Sequence, residues 1–204
     1  MNATRKYPRA ALWLSVAAGL GSGGTLAMGG FASAAWAQPP AEPPAGSEAR
    51  LGDPPAAPLL NAQILDLDDK PVSLRAMQGR VVIVLHQDRY SSEQNQGFKD
   101  RLGELVLRYP QKLQLVALAE AGGYNFWPAR RYVKDALRPL RELGGALVAC
   151  DWKGAVQKNY RIPARQSAVF VVGKDGTLQA LKKGVLGEAE AAALLSQIEK
   201  LALG

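Results

Sequence analysis

Two residues of the chain invite a chemical reading because each occurs only once: Cys150 and His86. One thiol cannot close an intrachain disulfide, and one thiol with one imidazole cannot assemble the Cys and His ligands of a zinc site. No metal site and no cofactor is therefore expected. Cys150 ends the apolar run Ala146-Leu-Val-Ala-Cys, where a cysteine acts as a small buried hydrophobe with a raised pKa. His86 closes the run Arg80-Val-Val-Ile-Val-Leu-His and opens the polar stretch Gln87-Asp-Arg-Tyr-Ser-Ser-Glu-Gln94. An imidazole there suits base catalysis or partner binding; the structural alternative is a strand-end histidine bonded to a helix terminus. Ser91 and Ser92 beside His86 lack both an orienting acid of known position and a Gly-x-Ser-x-Gly elbow, which argues against a serine hydrolase.

The polar stretch holds Asp88, Tyr90, Ser91, Ser92 and Gln94, groups suited to an anion or a peptide carboxylate at a helix N-terminus. Capping of that helix by Ser91 or Ser92, with Glu93 in its first turn, is the simpler expectation. Downstream, Gly122-Gly-Tyr-Asn-Phe-Trp127 places Tyr124, Phe126 and Trp127 in a glycine-bearing loop. These are residue types that anchor partner surfaces, although such aromatics also pack helices onto sheets.

The elements that position these residues follow from periodicity. Residues 80–86 and 113–118 are continuous apolar runs, as in strands buried on both faces. Between them Phe98, Leu102, Leu105 and Val106 recur at helical spacing, so a parallel pair with a right-handed crossover is expected. A short strand over residues 64–67 and a helical turn near residues 74–77 come first. A helix over residues 129–143, interrupted near Pro139, a strand over 146–150 and a short helix over 153–160 follow. Ser167 to Val172, the turn Gly173-Lys-Asp-Gly176 and residues 177–183 read as a hairpin. The closing helix, residues 188–203, carries Ala192, Leu195, Ile198 and Leu201 as its apolar stripe.

Ahead of this domain, Arg5, Lys6 and Arg9 without any acid precede an apolar stretch to Ala35, and Ala35-Trp-Ala37 offers a small-x-small cleavage site. Residues 1–37 are predicted to be a cleaved signal peptide, and six glycines suit that stretch poorly to a retained membrane anchor. Residues 38–59, rich in Pro and Ala, are predicted to be a disordered linker, and residues 60–204 the folded domain. Of the 25 Lys and Arg, three lie in the leader, leaving 22 against 18 acidic residues. That modest excess, with export, argues against nucleic-acid binding. A periplasmic or secreted location is expected, with no stable membrane anchor after cleavage.

Three stretches resemble the thioredoxin superfamily that includes peroxiredoxins and periplasmic thiol-disulfide proteins: residues 65–85, 151–161 and AVFVVGKDGTLQALKKGVL from Ala168 to Leu186. The sequences GRVVIVLHQDRYSSEQN and QSAVFVVGKDGTLQALKKGVLGEAE are similar to the YtfJ family of periplasmic thioredoxin-like proteins. The resemblance implies an α/β three-layer sandwich, a central mixed sheet flanked by helices. It also implies that the reactive cysteines would lie in the loop after the central strand, where Ser91 and Gln94, or their neighbours, stand instead. The cis-proline place before the hairpin strand falls on Ser167, with Pro163 four residues too early. A serine hydroxyl holds its proton too tightly for dithiol exchange. The function implied is a non-redox binding or accessory domain for a periplasmic protein or peptide. It would use a degenerate active-site face of His86, Asp88, Tyr90, Ser91, Ser92, Gln94, Arg165 and Ser167, with Tyr124, Phe126 and Trp127 as a further partner surface. The alternative is a thioredoxin- or peroxiredoxin-type oxidoreductase relying on Cys150 alone, with His86 or Arg165 assisting.

Overall fold

The computed structural model describes residues 59, 61–143 and 145–204. The expected signal peptide and most of the expected linker lie outside the described residues. The elements are β1 (Ile64–Asp66), β2 (Pro71–Val72), β3 (Val81–Gln87), α1 (Gln96–Arg108), β4 (Leu113–Glu120), α2 (Ala129–Leu143), β5 (Ala146–Asp151), α3 (Ala155–Asn159), β6 (Ala168–Val172), β7 (Leu178–Lys183) and α4 (Glu188–Leu203). Short 3-10 turns occupy Leu74–Met77 and Gly122–Tyr124.

Among the described residues seven strands form one mixed sheet in the order β2-β1-β5-β4-β3-β6-β7. β3 pairs in parallel with β4, and β4 with β5, whereas β6 runs antiparallel to β3 and β7 to β6. Two right-handed crossovers stepping in one direction put α1 and α2 on the same face of the sheet. There Val81, Ile83 and Leu85 pack with Phe98, Leu102, Leu194 and Ile198, and Leu140 packs with Val148 and Cys150. The alternate residues Val82, Val84, Val116 and Phe170 face the other way, onto Leu59, Val156, Tyr160 and Ile162. The sheet is thus covered on both faces, which explains why β3 and β6 read as unbroken apolar runs.

The local chemistry accounts for the boundaries. Asp69 takes a left-handed φ of 63° in the β1–β2 turn, a conformation Asp tolerates. Gly176, at φ 83°, closes the β6–β7 hairpin, where the Gly173 amide donates to the Thr177 carbonyl at 2.8 Å.

Three expectations require correction. α1 begins at Gln96 with Asn95 as its N-cap, and residues 91–95 form turns; neither Ser91 nor Ser92 caps it, and Glu93 precedes it. α2 runs uninterrupted through Pro139. Both Pro139 and Asp135, whose carbonyl loses its amide partner, face solvent, while Val133, Leu137 and Leu140 hold the helix on the sheet. The buried stripe of α4 is Ala191, Leu194, Ile198 and Ala202. Steps of three residues drift about 60° per step around a 3.6-residue helix, so the expected stripe could not stay on one face.

Candidate functional site

Because β6 is antiparallel to its parallel neighbours, its amino end meets the carboxyl ends of β3, β4 and β5. Four segments converge at this edge: residues 88–95, 120–128, 151–154 and 165–167. In open α/β sheets this is where ligands bind.

The loop after β3 is organised around Asp88. Its Oδ1 accepts from the Tyr90 amide (2.9 Å), the Ser91 amide (2.7 Å) and Ser91 Oγ (2.9 Å), and its Oδ2 accepts from the Arg165 amide (2.9 Å). Ser91 Oγ accepts in turn from the Asp88 amide at 3.0 Å, and Ser91 is fully buried. Ser92 is buried too, its Oγ donating to the Arg89 carbonyl at 3.2 Å. Gln94 reaches across to the segment before β6: its Nε2 donates to the Arg165 carbonyl and its Oε1 accepts from the Ser167 amide, both at 2.9 Å. Asn95 adds donations to Ser167 Oγ (3.0 Å) and the Gly184 carbonyl (2.9 Å), and accepts from the Leu186 amide at 2.7 Å. The groove between the two segments is thereby stitched shut by the chain's own side chains.

His86 continues the Val82 and Val84 row and is 1 % exposed. Neither ring nitrogen has a hydrogen-bond partner among the described residues, so it is not tied to a helix terminus. Burial pushes its pKa down to about 4, against the opposing pull of the Asp151 and Asp88 carboxylates. Asp151 on the same face is fully buried; Oδ2 accepts from the Val156 amide at 2.7 Å, and Oδ1 has no partner among the described residues. Glu120, half-buried, has its pKa raised by burial while its Oε1 accepts from the Gly122 amide at 2.9 Å. A Cβ on Gly122 would lie 2.8 Å from that oxygen and 3.2 Å from the Gly154 amide, so glycine serves close approach here.

Cys150 pairs across β5 with Leu65 and Ala119 and is completely buried, its thiol pushed up to about 12 by burial. Lys99, which the sequence reading did not single out, is buried with Nζ donating to the Ser92 carbonyl at 2.6 Å; burial pushes its pKa down to about 8. Its register with Leu102 and Val106, three and seven residues on, was the available signal.

The exposed part of the site is aromatic and cationic. Tyr90 is 57 % exposed, and the guanidinium groups of Arg89 and Arg165 each lie over its ring, 4.9 Å from the centroid. Arg89 also donates to the Tyr124 hydroxyl at 3.5 Å. Tyr124 is half-buried against the Leu140 and Trp152 cluster, whereas Phe126 and Trp127 project at 59 % and 85 % exposure. The structure therefore brings Asp88, Ser91, Gln94, Arg165 and Ser167 into one hydrogen-bonded unit, sets His86 beneath the surface, and leaves Tyr90, Phe126 and Trp127 facing solvent. The cis peptide among the described residues is Trp127–Pro128, at the start of α2; Ser167 is not at a cis bond.

No protein-family model matches the sequence, and no curated protein matches it. Solved structures do. Peroxiredoxin Q of Xanthomonas campestris aligns with a TM-score of 0.51 at 15% identity, over 76% of this chain and 99% of that one. MTB DsbF aligns with a TM-score of 0.50, also at 15% identity, over 69% of this chain and 97% of the other. The fold is thioredoxin-like. At such identity the likeness extends to the fold alone. In this thioredoxin-like domain the loop after the central strand contains no cysteine, and the chain's one thiol lies inside the sheet.

Proposed function

We propose that this is an exported, non-redox member of the thioredoxin-like fold, an accessory domain that binds a partner protein over the degenerate active-site loop. The observation that carries the reading is the contrast within the loop. Asp88, Ser91 and Gln94 are consumed in internal hydrogen bonds, while Tyr90, Arg89 and, in the loop that Arg89 reaches at Tyr124, Trp127 face solvent. Exposed aromatics with arginine are the residue types that dominate partner recognition. Export and a periplasmic or secreted location are supported by the basic start, apolar stretch and Ala35-Trp-Ala37 of the leader, and by the similarity to YtfJ sequences. An exported protein with Gln38 as its first residue, measured by intact mass, is the expected product.

An oxidoreductase working through Cys150 is not favoured, because a buried thiol with its pKa pushed up to about 12 supplies almost no thiolate at neutral pH. The test is affinity capture from periplasmic extract. Cys150→Ala should capture the same partner as the parent, whereas Tyr90→Ala with Trp127→Ala should lose it. Loss of capture in the folded Cys150→Ala variant, or its retention without the two aromatics, would overturn the reading.

A further inference from the structure

The unpaired cations of the former active-site edge say what kind of partner it takes. Arg101, Arg108, Arg130, Arg131, Arg138 and Arg141 each lie within ion-pair distance of a carboxylate. Among the described residues Arg75, Arg80, Arg89, Arg161 and Arg165 lie outside ion-pair distance of a carboxylate; Arg75 and Arg80 donate to Asn61 and Gln114 instead, whereas the guanidinium groups of Arg89 and Arg165 are both held over the one Tyr90 ring. Two like charges gathered on a single exposed ring repel each other, and the ring's negative face offsets only part of that. The nearest carboxylate by sequence, Asp88, is directed at the Tyr90, Ser91 and Arg165 amides and the Ser91 hydroxyl instead.

The patch reaches the neighbouring loop. From Arg165 it passes over Tyr90 and Arg89 to the Tyr124 hydroxyl, and Phe126 and Trp127 follow in the same loop. Such a strip is open rather than enclosed, and it alternates cationic with aromatic side chains. It fits a length of extended chain better than a compact anion. The backbone beside it is closed to strand addition at the Arg165 amide and carbonyl and the Ser167 amide, all already bonded to Asp88 or Gln94. Recognition must then come from side chains.

We propose that the Arg89–Tyr90–Arg165 clamp, with Phe126 and Trp127 alongside, binds an extended acidic segment of a partner protein, the guanidinium groups pairing with its Asp or Glu carboxylates and the exposed rings covering its apolar residues. This rests on the reading of the domain as a binding module and adds the chemistry of what it binds. Charge complementarity of this kind sets specificity and association rate and weakens with salt.

The test uses the intact purified protein and a fluorescein-labelled oligoglutamate peptide, followed by polarisation at low and at high salt. Saturable binding that weakens with salt, with none of an oligolysine peptide, is expected. Arg89→Gln with Arg165→Gln should raise Kd by about tenfold or more, and Arg89→Glu with Arg165→Glu should abolish binding. Arg138→Glu, on the exposed side of α2, should change it little. Unchanged thermal unfolding of the two glutamine substitutions guards against loss of fold. Absent saturable binding, affinity indifferent to the arginine substitutions, or binding of anionic phosphatidylglycerol vesicles in place of the peptide would each overturn the proposal. If capture of a periplasmic partner still depends on Tyr90 and Trp127 while oligoglutamate does not bind, the acidic-partner proposal fails and the binding-module reading stands. If capture ignores those aromatics, that reading itself falls.

Discussion

His86 is a buried base that folding keeps neutral. Its pKa is about 4 in the folded chain against an ordinary 6.5, so the unfolded chain takes up the proton first as pH falls. Stability from this group is therefore complete above about pH 6.5, is lost as pH drops toward 4, and changes no further below that. About 2 kcal/mol should be gone at pH 5. Urea unfolding at pH 7 and pH 5 of the parent and of His86→Phe measures it: the pH 5 loss should be smaller in the variant by about that amount. Cys150 makes a second residue-scale prediction. A thiol completely buried on β5 should resist maleimide labelling in the native protein and react stoichiometrically once denatured. Fast native labelling would contradict the structure's account of that strand.

At the scale of elements, the edge where β3, β4, β5 and β6 meet is held by polar side chains rather than by packing. Asn95 ties the start of α1 to Ser167, to the end of the hairpin at Gly184 and to Leu186 ahead of α4, while its own backbone has a left-handed φ of 60°. Asn95→Gly keeps that backbone affordable and removes the bonds, and should cost about 2 kcal/mol or more; Asn95→Ala adds roughly 1 kcal/mol for the unfavourable φ. Chemical denaturation of both variants separates the two contributions. Asp88→Ala should release the loop from the Arg165 amide, which faster hydrogen exchange at Tyr90, Ser91 and Arg165 would report. The Asn95 bonds and the Asp88–Arg165 bond are not readable from pattern, because their partners are 72 to 91 residues apart in sequence. The α4 stripe is a different case: helix geometry alone rules out a run of three-residue steps, and contact with β3 and α1 then selects Ala191, Leu194, Ile198 and Ala202 among the small apolar residues.

For the whole molecule, the core divides between the two faces of one sheet, and its centre is β4, β3 and β6. Amides of these strands should exchange slowest, at rates set by global unfolding, and those of residues 121–128 much faster. Phe170→Ala, which removes a ring packed edge-on against Tyr160 at 4.9 Å, should cost about 3 to 5 kcal/mol by urea unfolding. The order of elements was legible beforehand, since strand and helix periods, glycines and prolines act over a few residues and leave their marks in composition. So was the absence of a dithiol, which needs only a count of cysteines. What folding alone decided is which side chains remain available at the edge where β3, β4, β5 and β6 meet. Ser91 and His86, polar and adjacent to a loop, look accessible as sequence, yet both are buried. Tyr90, flanked by them, is exposed and carries an arginine from a segment 75 positions later, because antiparallel pairing of β6 with β3 brings those two loops side by side.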